Sequence, residues 1–257
     1  MTQTISRKLQ ILCLHGFKQH GQNFKHRCNS LQKVLRNYAD LHFIDAPHKL
    51  PTLTEKDTTG NESEVKNDNY LTWWNTVEEK NATDKIHKIR YDGLSESIRL
   101  IAEVNEKNGP FDGILGFSQG GVLLAILCAL REREKFVQTK SDVVKTPLNT
   151  NWNESVLKDV DTLKFKFAWI VGSFKPRDSS VVDIFNICSQ NTQESIKLEI
   201  PTMIVVGKGD DITPLDTVVD LSRCFKNPYL VIHDRGHYIP VYEEVNNKYI
   251  VFLKQFL

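Results

Sequence analysis

The sequence predicts an α/β fold, a mostly parallel sheet covered by helices on both faces. Three observations lead there. Apolar runs of four to seven residues recur along the chain, as buried strands require. They alternate with segments whose apolar residues return at helical spacing, the pattern of βαβ units. No internal repeat is present, which removes solenoids and propellers.

Taken in order, Leu9 to Leu14 is a buried strand broken by His15-Gly16. Leu31, Val34, Leu35 and Tyr38 mark an amphipathic helix, and Leu41 to Ile44 a second strand closed by Asp45-Ala46-Pro47. Residues 51–69 are polar with almost nothing to bury, and read as a loop excursion. Leu94, Ile98 and Ile101 predict a helix stopped near Asn108-Gly109-Pro110. A strand over Phe111 to Phe117 and a helix over Val122 to Leu130 follow. A second polar stretch, Glu134 to Leu163, leads to a strand at Phe165 to Val171. Met203 to Val206 is a strand, Leu215 to Phe225 a helix, Tyr229 to His233 a strand, and Val245 to Phe256 a closing helix. One domain over 1–257 is expected, with polar excursions at about 51–69 and 134–162.

The composition is that of a globular protein, with 40% hydrophobic and 25% charged residues. A net charge of +1 leaves no electrostatic footprint for nucleic acid or an anionic membrane. The short charged runs Arg7-Lys8 and Arg131-Glu132-Arg133 are expected on a solvated face. Five cysteines, odd in number and without a CxxC pair, give neither a disulfide framework nor a zinc site. The polar start, Met1 to Lys8, is followed by no secretory apolar region, and no run reaches the ~18 apolar residues of a membrane span. A reducing cytosolic or nuclear setting is expected, with no metal or other cofactor.

The strongest local signal is Gly116-Phe117-Ser118-Gln119-Gly120, preceded by an apolar strand and opening into an apolar helix. That context makes it resemble the nucleophile elbow of α/β-hydrolases. A tight strand-to-helix turn forces the serine into a strained conformation and exposes its hydroxyl above the sheet, while flanking glycines remove side chains that would clash. A serine hydroxyl needs an imidazole base, and in such folds an acid and then a histidine follow the serine. Of eight histidines only His233 and His237 lie downstream. His233 ends a strand, whereas His237 sits in the loop beyond it, so His237 is the base. The acid belongs after the preceding strand, where Asp210 and Asp211 are adjacent, and spacing alone does not choose between them. An oxyanion hole needs two backbone donors. Gln119, just after the nucleophile, supplies one, and Phe17, in the loop after the first strand, the second.

Four segments in order carry a wider resemblance: Leu12-Cys13-Leu14-His15-Gly16-Phe17, Asp45-Ala46-Pro47, the run from Gly109-Pro110-Phe111-Asp112-Gly113 to Gly120, and Gly236-His237-Tyr238-Ile239-Pro240. Together they are similar to the fungal and animal FSH family of small serine hydrolases, over nearly the whole chain. The resemblance implies an α/β-hydrolase fold without a large separate cap, a Ser-Asp-His triad and carboxylic-ester hydrolysis. The family's G-x-x-D-x-x-x-P segment falls on Gly207, Asp210 and Pro214 and favours Asp210 as the acid. It also places a tryptophan, Trp73 or Trp74, between the second and third strands, as a substrate wall or an anchor beneath a loop. The chain departs from the family pattern in its longer polar stretches and in Arg235 before Gly236. Three activities compete on these residues. The first is hydrolysis of a small-molecule ester with a modest apolar acyl group. The second is acyl-thioester hydrolysis by the same groups, since the elbow also resembles that of acyl-protein thioesterases. The third is a catalytically idle binding protein on the same fold.

Overall fold

The computed structural model describes residues 7–50, 70–79, 88–138, 152–189 and 195–257, with only the backbone of 54–56, 62–64 and 137–138. Its centre is a six-stranded sheet: β1 (Leu9–Leu14), β2 (Ala39–Ile44), β3 (Gly113–Phe117), β4 (Phe167–Val171), β5 (Thr202–Gly207) and β6 (Tyr229–His233). The spatial order is β2-β1-β3-β4-β5-β6 and every neighbouring pair is parallel. The register aligns Leu14 with Gly116, and Val171 with Phe117, so three strands end together beside the elbow. From β1 the chain moves outward to β2, then returns to the other side of β1 for β3. Right-handed crossovers in opposite directions put helices on opposite faces and open a crevice at the carboxyl ends of β1 and β3.

Strand side chains alternate between two cores, as a sheet buried on both faces demands. Ile11, Leu115, Trp169 and Val205 face α1 (Gly21–Arg27), α2 (Asn29–Leu35) and α9 (Glu243–Leu253), through Phe24, Leu31 and Tyr249. Leu12, Ile114, Ile170 and Ile204 face α3 (Leu94–Asn108), α4 (Gln119–Arg131), α5 (Arg133–Gln138), α6 (Glu154–Thr162), α7 (Val182–Ser189) and α8 (Leu215–Ser222). From Gln119 to Leu130 every residue of α4 is buried, because this helix lies between the sheet and α6. A helix apolar on all sides has no solvent face to offer.

The expected strands and the helices α2, α3, α4, α8 and α9 are present, with ends shifted by a few residues. Other expectations need correction. Within 51–69, Thr54–Lys56 pairs antiparallel with Glu62–Glu64, so that excursion contains a hairpin; its remaining residues lie outside those described. The stretch 134–162 is not only a polar loop, since it holds α5 and α6. Val156 and Val160, one turn apart, bury one stripe of α6, and Asn153 caps its start by accepting the Ser155 N–H at 3.0 Å. Arg131-Glu132-Arg133 is not a solvated face either. Arg131 donates to Phe165 O at 2.6 Å, Glu132 accepts the N–H groups of Glu199 and Ile200, and Arg133 pairs with Asp161 at 2.8 Å. Arg7 and Lys8 are exposed as expected, although Arg7 also reaches buried Asp112 through both guanidinium ends, at 2.7 and 2.8 Å. Asn75–Glu79 pairs antiparallel with Lys88–Asp92, and the Ile89–Asp178 bridge joins this pair to the chain after β4. No helix among the described residues is long and apolar enough to cross a membrane.

Candidate active site

Ser118 stands between the last residue of β3 and the first of α4 with φ 52° and ψ −116°, a left-handed strained backbone for a residue with a side chain. The turn is held from both sides. Ser118 N–H donates to Val171 O at 2.9 Å, and its carbonyl accepts from Gly121 N–H at 2.9 Å and the Ser173 hydroxyl at 3.0 Å. The flanking glycines are required by close approach: a Cβ on Gly116 would meet Gly120 O, and one on Gly120 would meet Leu14 O. The sequence therefore folds here into a turn that no bulkier residues could form.

His237 lies in the loop after β6, and its ring packs on that of Phe117, the residue before Ser118, with centroids 4.8 Å apart. Its Nδ1 is 2.8 Å from Asp210 Oδ2. Asp210 follows β5, is almost fully buried, and also accepts the N–H groups of Ile212 (3.0 Å) and Thr213 (2.8 Å) and the Thr213 hydroxyl (2.7 Å). Burial alone would raise its pKa. The hydrogen bonds from Thr213 and His237 outweigh burial and hold it below the ordinary carboxylate value. A carboxylate so held accepts from Nδ1–H, which leaves the His237 Nε2 lone pair free. Asp211, the alternative left open by spacing, is exposed and does not contact the imidazole. His233 is buried at the end of β6, where its Nδ1 accepts the Arg235 N–H at 3.3 Å, the structural role expected for it.

Gly172, just after β4, has φ +52°, and a Cβ there would stand 3.0 Å from the His237 ring and 3.4 Å from Asp210 Oδ2. Sequence reading missed both Gly172 and Thr213. Only the Asp-x-x-Thr spacing, which favours a side chain folding back on its own loop, signalled the second.

The loop after β1 is braced by His15. Its Nε2 accepts the Ala46 N–H at 3.0 Å, so Nδ1 carries the proton and donates to Gly16 O at 2.8 Å. Burial lowers its pKa to about 4, which keeps the ring neutral. Gly16 lies against the nucleophile, since a Cβ there would be 3.2 Å from Ser118 Cβ. Phe17 and Gln119 line the same cleft as Ser118, and their N–H groups have no acceptor among the described residues. The Gln119 side chain turns away and accepts the Trp73 N–H at 3.0 Å, while its amide donates to Thr72 Oγ1 (2.9 Å) and Trp74 O (3.2 Å).

The two expected tryptophans part company. Trp73 is fully buried and donates to His15 O at 2.8 Å, so it is an anchor beneath the loop and not part of the cleft lining. Trp74 stacks on Tyr91, centroids 4.4 Å apart, and lines a cleft of about 440 Å³ with Phe17, Ser118, Gln119, Phe174 and Arg177. Tyr91, Phe174 and Arg177 carried no sequence signal. The cysteines are all buried and free, and burial pushes Cys28 up to about 12, so these thiols do not compete as nucleophiles. Among the described residues no three His, Cys, Asp or Glu gather to hold a metal ion.

Known proteins resemble this chain in sequence and in fold. The esterase OVCA2 of Danio rerio is 30% identical over 253 residues, which cover 96% of this chain and 97% of that protein. The human esterase OVCA2 is 28% identical, covering 97% of each chain. Among solved structures, Arabidopsis thaliana SOBER1 superposes with a TM-score of 0.51 at 16% identity, over 97% of this chain and 99% of that one. YahD, solved with malic acid, gives 0.52 at 10% identity, over 97% and 94%. These similarities carry the fold, an α/β-hydrolase with no separate cap domain among the described residues. The model of the family described as Serine hydrolase (FSH1) matches residues 2–249, and this chain belongs to that family.

Proposed function

We propose that this protein is a serine carboxylesterase using Ser118, His237 and Asp210 as its catalytic triad. The observation that carries the reading is the strained Ser118 turn set beside a His237–Asp210 pair packed over Phe117. Ser118 Oγ attacks the ester carbonyl while His237 Nε2 takes its proton, and Asp210 steadies the resulting imidazolium. The carbonyl oxygen, now negative, receives the N–H groups of Phe17 and Gln119. Collapse breaks the bond to the alcohol, which leaves with the proton from His237, and Ser118 keeps the acyl group. Water, deprotonated by the same imidazole, attacks the acyl-enzyme and releases the acid. No metal or cofactor enters these steps. The cleft walls of Trp74, Phe17 and Phe174 favour an apolar acyl chain of modest length, in a small-molecule ester.

Thioesters pass through the same steps, so the leaving group is decided by measurement. Steady-state hydrolysis of p-nitrophenyl butyrate beside butyryl-CoA tests the reading. Ester turnover is expected to be abolished in Ser118→Ala and nearly so in His237→Ala, while His233→Ala retains much of it. Thioester turnover far above that of every ester would move the assignment to a thioesterase. Ser118→Ala with wild-type turnover of both would end the triad assignment.

A further inference from the structure

Arg177 occupies an unusual place for a cation. Among the described residues lining the Ser118 cleft it alone carries charge, the others being apolar, aromatic or neutral polar. No carboxylate among the described residues lies within ion-pairing distance of it. Its neighbour Asp178 is committed elsewhere: Asp178 is buried and accepts the N–H groups of Tyr91 (2.5 Å) and Ser180 (2.8 Å) together with the Ser180 hydroxyl. Those bonds fix the backbone on either side. The Arg177 N–H donates to Tyr91 Oη at 3.0 Å, and the guanidinium lies over the Phe174 ring, 5.6 Å from its centroid. Phe174 and Arg177 also border a second cleft of about 360 Å³, toward Ile212 and Pro214. The other cation there, Lys175, is held by Asp220 at 2.5 Å. Among the described residues Arg177 is thus the cation without a carboxylate partner where both clefts meet, its side chain bonded to the Tyr91 hydroxyl.

We infer that the substrate is an ester carrying a carboxylate on a short apolar chain, and that Arg177 is the specificity-determining residue that receives it. This rests on the esterase reading above. The chemistry is direct. A planar guanidinium presents a fork of N–H donors that matches a carboxylate and keeps its charge at every working pH. Aromatic walls bury the methylenes between the reacting carbonyl and that terminus, and no acidic side chain among the described residues lines the Ser118 cleft, while Asp220 in the second cleft is paired with Lys175. Because Arg177 borders both clefts, the carboxylate could sit on either half of the ester, and the substrates below separate the two cases.

The test compares matched pairs in the wild-type chain and in Arg177→Met. On the acyl side, monoethyl adipate is set against ethyl heptanoate. On the alcohol side, 6-(butanoyloxy)hexanoate is set against hexyl butanoate. In the wild type one anionic member should exceed its neutral partner in kcat/KM by about fivefold or more at low ionic strength, falling as salt rises. Arg177→Met should erase that advantage, read as the ratio of kcat/KM for the anionic ester to that for its neutral partner in the same variant, and Arg177→Lys should restore part of it. The inference is overturned if neither anion is favoured, or if the preference survives Arg177→Met. Both of those outcomes leave Ser118-dependent ester hydrolysis standing. A failure of the esterase reading shows differently, as no turnover of any of the four esters. In that event calorimetric titration of adipate into Ser118→Ala decides the Arg177 site, since binding lost on adding Arg177→Met supports it and absent binding rejects it.

Discussion

At Asp210 three donors besides His237 converge on one buried carboxylate, while Asp211 faces solvent. Asp210→Asn should keep the fold and lose most of kcat, because an amide cannot fix the Nδ1–H tautomer or balance the imidazolium. In a serine protease the matching change lowers kcat by ~10⁴. Asp211→Asn should stay within about twofold, and a crippled Asp211→Asn beside an active Asp210→Asn would reverse the assignment. His15 gives a second residue-scale expectation. Its pKa falls from the ordinary ~6.5 to about 4 on folding through burial, so the unfolded chain binds the extra proton. The stabilisation from neutral His15 is therefore complete above pH ~6.5 and lost progressively as pH falls toward 4. Denaturant unfolding should show a stability loss between pH 7.5 and 5 that exceeds that of His15→Gln by about 2 kcal/mol. Equal losses in the two proteins would contradict the burial argument. Ser118, His237 and the Phe17 loop were legible because each ends a strand within a recognisable turn. Thr213 and Gly172 were not, because their value lies in contacts with residues distant in sequence.

Among the elements, α4 and the chain from Leu71 to Trp74 are coupled through Gln119. Removing its side chain in Gln119→Ala leaves the buried Trp73 N–H without its acceptor, which should cost about 1–3 kcal/mol in unfolding free energy. The Gln119 backbone N–H remains, so p-nitrophenyl acetate turnover should suffer less than octanoate turnover, whose chain needs the Trp74 wall in place. In the wild type, lengthening the acyl chain from acetate should raise kcat/KM by up to about fourfold per methylene while each CH₂ gains burial worth ~0.8 kcal/mol. Trp74→Ala should flatten that series, and an unchanged series would remove Trp74 from the substrate wall. The hairpin that supports this wall escaped sequence reading because Asn75–Glu79 half-buries only Val77, which leaves no period-two signal. The helix α6 escaped for a related reason: its stripe rests on Val156 and Val160 amid polar neighbours.

For the whole molecule, the parallel sheet was legible because strands buried on both faces are continuous apolar runs, and such runs survive any loop sequence around them. The cleft was not legible. Its walls come from the loop after β1, the segment near Trp74, Tyr91, the elbow, and the loop after β4, which only the assembled sheet brings together. The strand order places the β1–β3 crevice beneath Ser118, and the β5 and β6 loops deliver Asp210 and His237 to the same end. The proposed triad requires that this convergence activate one serine. Intact-mass spectrometry after incubation with a fluorophosphonate measures it most directly. A single adduct per folded chain is expected, mapped by peptide digestion to Ser118, absent in Ser118→Ala and formed far more slowly in His237→Ala. A folded wild-type chain that stays unlabelled, or an adduct that persists in Ser118→Ala, would contradict it.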